Sequence, residues 1–216
     1  FVQQFSSNIA MLSQQMGSLL RSSVDVESVN AEKAFFDQVG VAAAVARTTR
    51  NSDTPLMDTP HTRRMVTMTD YEYADLIDSQ DKIRMLADPT STYARAAAAA
   101  MGRAMDDVII AAMHGTAKTG ASGATSVSFP AAQQIAHGSA GLTIAKLLSA
   151  KEILDANSVD PSIPRYLVAS PKQMSDLLGT TQVTSSDFNT VKSLVQGQID
   201  SFMGFKFISS NRLPHN

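Results

Sequence analysis

Three aspartates, Asp75, Asp78 and Asp81, repeat at three-residue spacing and form the densest set of potential ligands in the chain. On a helix that spacing crowds the carboxylates onto one face, where like charges repel slightly. Their hard oxygens would suit a divalent ion such as calcium. The favoured reading is salt bridging, to Lys82, Arg84 or a second chain. Arg47, Arg50, Arg63 and Arg64 carry the complementary charge on the preceding residues. A guanidinium on an exposed segment can pair bidentately with a carboxylate across an interface. His61, beside Pro60 in what reads as a loop tip, is expected to be a contact residue and not a base.

The remaining polar residues assemble no catalytic pattern. His61, His114, His137 and His215 are the four histidines, and none stands at a His-x-x-x-His spacing that would hold zinc. His114 is placed for the last turn of a helix, where a donor near free carbonyls is favourable. The loop Gly115–Gly120 lacks the Gly-x-x-x-x-Gly-Lys-[Ser/Thr] spacing of a phosphate cradle and follows a helix instead of opening one. Ser170 has no Gly-x-Ser-x-Gly surroundings and reads as a helix cap. Asp106 and Asp107 are adjacent, so on a helix they diverge by roughly 100°. They are expected on a solvated face or as partners of Arg103. The absence of cysteine excludes disulfides, thiolate metal sites and a cysteine nucleophile. No catalytic, metal or cofactor-binding residue is assigned, and no cofactor is expected.

The elements that position these residues form a mixed α and β chain. With 44% hydrophobic and 18% charged residues the composition is that of a globular protein. No run approaches the ~18 apolar residues of a membrane span. A net charge of −2 lacks the basic excess that gripping nucleic acid requires. Phe1, Phe5, Ile9, Leu12, Met16 and Leu19 recur at spacings of three and four, which predicts a helix with one apolar side. That side would pack on its own domain or on a partner, with equal support for each. Residues 39–74 read as a long, partly exposed hairpin or loop, with Met65–Thr69 as a strand. Asp88 as cap, Pro89 at the first position and a left-handed Gly115 predict a long helix over 89–114. Its Gly102 costs ~1 kcal/mol against alanine if exposed. Gly115–Gly123 reads as loop and Val127–Ile135 as a short strand interrupted by Pro130. Thr143 caps a helix to Ala156, with Leu142 and Leu147 as its hydrophobic staple. Arg165–Ala169 reads as a strand. Ser170 with Pro171 starts a helix ended by Gly179, another helix covers 188–195, and Phe205–Ile208 is a strand. Phe1 opens the chain without a secretory pattern, and no closing element follows Leu213. The natural start and the rest of the fold are therefore expected outside this sequence.

Several segments, taken together, resemble tailed-bacteriophage major capsid proteins. They are Asp53–Arg64, Thr69–Asp78, Gln80–Pro89, Gly102–Ala112, Phe129–Gln134, Val168–Pro171, Leu178–Thr181 and Ser201–Phe205. They run in the family's order and cover nearly the whole chain. The resemblance implies an α+β fold of the Hong Kong-97 type. Residues 1–38 would be an N-terminal arm and 39–78 would include an extended loop. Residues 79–165 would form a peripheral domain with its spine helix at 89–114, and 166–216 would begin an axial domain. It implies a non-enzymatic coat subunit that self-assembles as pentamers and hexamers into an icosahedral shell around double-stranded DNA. Scaffolding and portal proteins would be its further partners, with no membrane contact. The virion would be its location, after assembly in the bacterial host cytoplasm. Phe1, Phe5, Leu12, Arg47, Arg50, His61, Arg63, Arg64, Asp75, Asp78 and Asp81 would then be candidate contacts between subunits.

Some shells of this type are cross-linked by a lysine of the extended loop. No lysine lies between Lys33 and Lys82, so no such cross-link is expected here. Two other readings compete. A cellular nanocompartment shell shares the fold, and genomic neighbours would separate the two. A metal-dependent soluble enzyme would need the acidic cluster, and its activity would be lost on changing Asp75 and Asp78.

Overall fold

Alternating side chains create the first sheet. In β1 (Lys33–Val39) Ala34 and Phe36 are half-buried, while Phe35 and Asp37 point to the other, exposed face. β1 pairs antiparallel with β2 (His61–Thr67), from Lys33 opposite Thr67 to Val39 opposite His61. β2 continues onto β3 (Ala117–Thr119) and β3 onto β4 (Thr125–Val127), giving the order β1-β2-β3-β4. The β3–β4 turn uses Gly120 and Gly123 with φ of 90° and 70°. Gly123 is buried against Met65, and a Cβ there would lie 2.9 Å from the Met65 Cβ.

The computed structural model describes residues 11–50, 53–54, 56–76, 90–179, 193 and 201–214. Two units emerge from its contacts. Glu27–Tyr71 and His114–Phe129 form the sheet unit just described. Phe1–Val26, Glu72–Met113 and Pro130–Asn216 form the other.

This second unit contains α1 (Thr90–His114) up to Met113, a helix of 25 residues and thus ~37 Å long. α2 (Ile144–Ala156) starts where the Thr143 side chain accepts a hydrogen bond from the Lys146 N–H. β5 (Arg165–Ala169) leads directly into α3 (Pro171–Leu178). There Ser170 accepts from the Gln173 N–H, while the Gln173 side chain accepts from the Ser170 N–H. That reciprocal box satisfies two donors that a helix start otherwise leaves open. β6 (Ser201–Phe202) and β7 (Phe205–Ser209) are joined by Met203 and Gly204, with φ of 53° and 85°. Two consecutive left-handed residues are what a tight two-residue hairpin demands. β7 pairs antiparallel with β6 and parallel with β5, giving the order β5-β7-β6. Leu147 of α2 and Leu177 of α3 are fully buried, and Leu142, Ile144, Leu167, Met174, Phe202 and Phe207 pack around them.

Several sequence expectations change. Residues 11–20 are not helical, and a single 3-10 turn follows at Arg21–Ser23. Gly17 at φ 77° interrupts any helix, and the N–H groups of Leu19 and Leu20 bond to a side chain elsewhere. The hairpin begins at Lys33, six residues before the expected Val39, because Lys33–Val39 pairs in full with His61–Thr67 while Val41–Ala46 is not in a strand. His61 is the first residue of β2 and not a loop tip. Gly115 is not left-handed. The stretch after it is not all loop, because Ala117–Thr119 pairs with β2 and β4. Around Pro130 the strand is Thr125–Val127, followed by a 3-10 turn at Ala131–Gln133. The expected caps Asp88 and Pro89, and nearly all of the helix over 188–195, lie outside the described residues.

Candidate functional site

Three features of α1 meet at one point: a glycine, an arginine and a carboxylate. Ala99, Gly102, Asp106 and Ile110 are buried at spacings of three and four, which marks one side of the helix. Residues 14–20 lie along that side. Gly17 rests on Gly102 so closely that a Cβ at position 102 would stand 2.5 Å from the Gly17 Cα. Arg103 donates to the Gln14 Oε1 at 2.7 Å and to the Gln15 carbonyl at 3.3 Å.

Asp106 is 0% exposed and is the only fully buried acidic side chain among the described residues. Its Oδ1 accepts from Ser18 Oγ at 2.5 Å and from Leu20 N at 3.1 Å. Its Oδ2 accepts from Gln15 Nε2 at 2.6 Å and from Leu19 N at 3.1 Å. A carboxylate offers about four acceptor positions, and here each oxygen takes two donors. Burial pushes the Asp106 carboxyl up, yet the bonds from Ser18, Leu19, Gln15 and Leu20 outweigh it and hold the group below its ordinary value. Leu20, completely buried, completes the attachment. Asp107 faces away and pairs with Arg212, whose Nε donates to Oδ1 at 2.8 Å. That bond holds the Asp107 carboxyl below its usual range.

Asp107 is on a solvated face as expected, whereas Asp106 departs from the sequence expectation. Asp106 is not on a solvated face, and Arg103 bonds to Gln14 and Gln15 instead of to either acid. The donors stand 86 to 91 residues away, so no local pattern announces them. The one available signal was Asp106 falling on the same helical side as Ala99, Gly102 and Ile110.

A second cluster lies in the sheet unit. Asp37 sits opposite Arg63 in the β1–β2 register and accepts from its Nε at 2.5 Å and its Nη2 at 3.0 Å. The hydrogen bond from Arg63 is the main cause of the Asp37 carboxyl lying below its ordinary value, with His61 adding to it. The Arg63 guanidinium also stands 5.8 Å from the Phe35 ring centre, within cation–π range. Asp37, His61, Thr62, Arg63 and Arg64 line one open groove with Thr119, Gly120, Ala121 and Val127.

The candidate contact residues thus fall in different places. His61, Arg63 and Arg64 are together on β2. Arg47 and Arg50 are exposed in the connection between β1 and β2, where Arg47 Nε donates to the Thr49 carbonyl at 3.2 Å. Arg50 and Arg64 make no ion pair among the described residues. Leu12 is 86% exposed, and Asp75 is exposed as well. Phe1, Phe5, Asp78 and Asp81 lie outside the described residues. Among the described residues no three His, Asp or Glu side chains converge to hold a metal ion. No helix there is long and apolar enough to cross a membrane.

Known proteins supply the remaining observation. No curated protein matches the chain. The capsid structure of the cyanophage P-SCSP1u superposes with a TM-score of 0.70 at 18% identity, covering 99% of this chain and 69% of that one. A structure of Mycobacterium phage Che8 gives a TM-score of 0.60 at 15% identity, covering 99% and 76%. At these identities the likeness is one of fold. The family model described as phage capsid protein matches residues 1–216. Over its whole length, then, this chain belongs to the phage capsid protein family and is a structural protein of a bacteriophage virion.

Proposed function

We propose that this chain is the major capsid protein of a tailed bacteriophage, with the Hong Kong-97-type fold. It self-assembles through pentamers and hexamers into an icosahedral shell enclosing double-stranded DNA. The observation that carries this reading is the likeness of 99% of the chain to the cyanophage capsid structure. The long helix α1 and the β1–β2 hairpin, whose connection is exposed from 40 to 50, are in keeping with it. In this reading residues 1–38 act as an arm, 39–78 include the extended loop, 79–165 are the peripheral domain and 166–216 begin the axial domain.

Arg50 and Arg64 serve as interface cations, because Arg63 already spends its charge on Asp37 within the hairpin. Leu12 and the arm residues Phe1 and Phe5 contribute apolar contacts, and Asp75, Asp78 and Asp81 the acidic partners. A net charge of −2 leaves the shell wall without the basic excess that would bind packaged DNA tightly. Scaffolding and portal proteins assist assembly in the host cytoplasm.

Negative-stain electron microscopy of the full-length protein, co-expressed with its neighbouring genes, tests the proposal. Closed shells of uniform diameter are expected, and DNA content separates a virion from a protein-filled compartment. Discrete monomers even beside a candidate scaffold would overturn it.

A further inference from the structure

We propose that Asp106 is a positioning residue for assembly, a latch that holds the N-terminal segment on α1 in a single register. The inference rests on the coat-subunit reading above.

The segment is attached at essentially one place. Leu12 and Met16 remain largely exposed, Leu19 is partly so, and Leu20 is the single fully buried apolar side chain between 11 and 20. Attachment therefore depends on the Asp106 bonds, on those of Arg103 to Gln14 and Gln15, and on Leu20. A buried carboxylate is a poor choice if stability alone is required, because desolvating a charge offsets much of what its bonds contribute. What it supplies is selectivity. An apolar patch tolerates a slipped chain, whereas these two oxygens need four donors in the order Gln15, Ser18, Leu19, Leu20.

The neighbouring glycines enforce the same register sterically. A slip by one residue would set Met16 or Ser18 where Gly17 now meets Gly102 without a side chain. A segment released only in part would leave the covered carboxylate short of donors. The attachment is thus complete or absent, with no half-bonded state favoured. Whatever precedes Gln14 consequently departs from α1 at a fixed position, and a coat subunit can use that fixed point to direct its arm toward the same contact in every copy.

The test is Asp106→Asn in the full-length protein, read by amide hydrogen exchange at Leu19 and Leu20 and by the diameters of assembled shells. Asparagine keeps the shape but presents one acceptor oxygen and an NH2 that faces two donors. Exchange at both amides is expected to quicken by about tenfold or more, with shells of mixed diameter or open sheets. The double change Gln15→Ala with Ser18→Ala removes two donors from the segment alone. It should reproduce the effect if Asp106→Asn does not fold. Leu177→Val, in the separate Leu147–Leu177 core, controls for general destabilisation and should leave shell diameter uniform. Unchanged exchange in both latch variants would overturn the latch. Quickened exchange with uniform shells would overturn its role in assembly. Wild-type protein that forms no shells would instead overturn the coat-subunit reading, leaving the exchange result to stand alone.

Discussion

Gly17 and Gly102 touch backbone to backbone, one at φ 77° in an irregular segment and the other buried in the middle of a helix. Each needs its missing side chain for a different reason. At Gly17 open space surrounds the position but the left-handed backbone disfavours a Cβ. At Gly102 the backbone is ordinary helix and the obstacle is Gly17 itself.

That difference separates two substitutions. Gly102→Ala would stabilise a free helix by up to ~1 kcal/mol, yet here it is expected to destabilise by about 1–3 kcal/mol through overpacking. Gly17→Ala is expected to cost about 1 kcal/mol from backbone strain. Urea denaturation of both variants, with Arg103→Ala as a third, checks the order. A stabilised Gly102→Ala protein would show that the segment leaves α1 in solution.

Asp106 and Asp107 should both shape the acid limit of stability. Each folded-state carboxyl lies below the ordinary 3.8. The stability they add is therefore whole above that value and is lost as the pH falls through the lower folded-state value. Asp106→Asn is expected to lower stability at neutral pH by about 1–3 kcal/mol, since bonds to charged groups are worth that much. It should also flatten the acid limb of the pH–stability curve without removing it, because Asp107, Asp37 and Asp160 are shifted in the same direction. Thermal unfolding from pH 7 down to pH 2 reads both effects. An acid limb as steep as wild type would mean that the buried carboxyl is already protonated.

Ser170→Ala should cost about 1 kcal/mol, the usual loss for an N-cap. Thr143→Ala should cost less, since its cap has no reciprocal partner. Equal melting temperatures for the two variants would contradict the importance of the reciprocal box.

Mature particles are expected to dissociate in hot detergent to single chains, because no lysine lies between Lys33 and Lys82 to join a neighbour's asparagine. Mass spectrometry of the released protein checks this, and an isopeptide-linked pair of peptides from that region would refute it.

How much was legible in the sequence depends on how far apart the cooperating residues stand. The caps Thr143 and Ser170, the strand Arg165–Ala169 and the staple of Leu142 with Leu147 all involve residues within five positions of one another, and their types alone announce them. The apolar repeat from Phe1 to Leu19 suggested a helix. In residues 11–20, bonds to a carboxylate some 90 positions away and the left-handed Gly17 override that local preference. β3 was hidden for a related reason. Three residues, Ala-Lys-Thr, carry no strand signature of their own and become one only by meeting β2 and β4. The candidate interface arginines were legible as charges, but that Arg63 is neutralised by Asp37 across β1 and β2 depends on register, which sequence alone leaves open.

The composite origin of the four-stranded sheet has a consequence for synthesis on the ribosome. β1 and β2 can zip together once residue 67 has emerged, but Arg64 finds its neighbour Thr119 only after all of α1 has followed. For some fifty residues of elongation the outer edge of β2 has open N–H and C=O groups. Unpaired edges of that kind invite pairing with other nascent chains. Arg64 stands on that strand, and its positive charge repels an identical edge on a neighbouring nascent chain until β3 arrives to cover it.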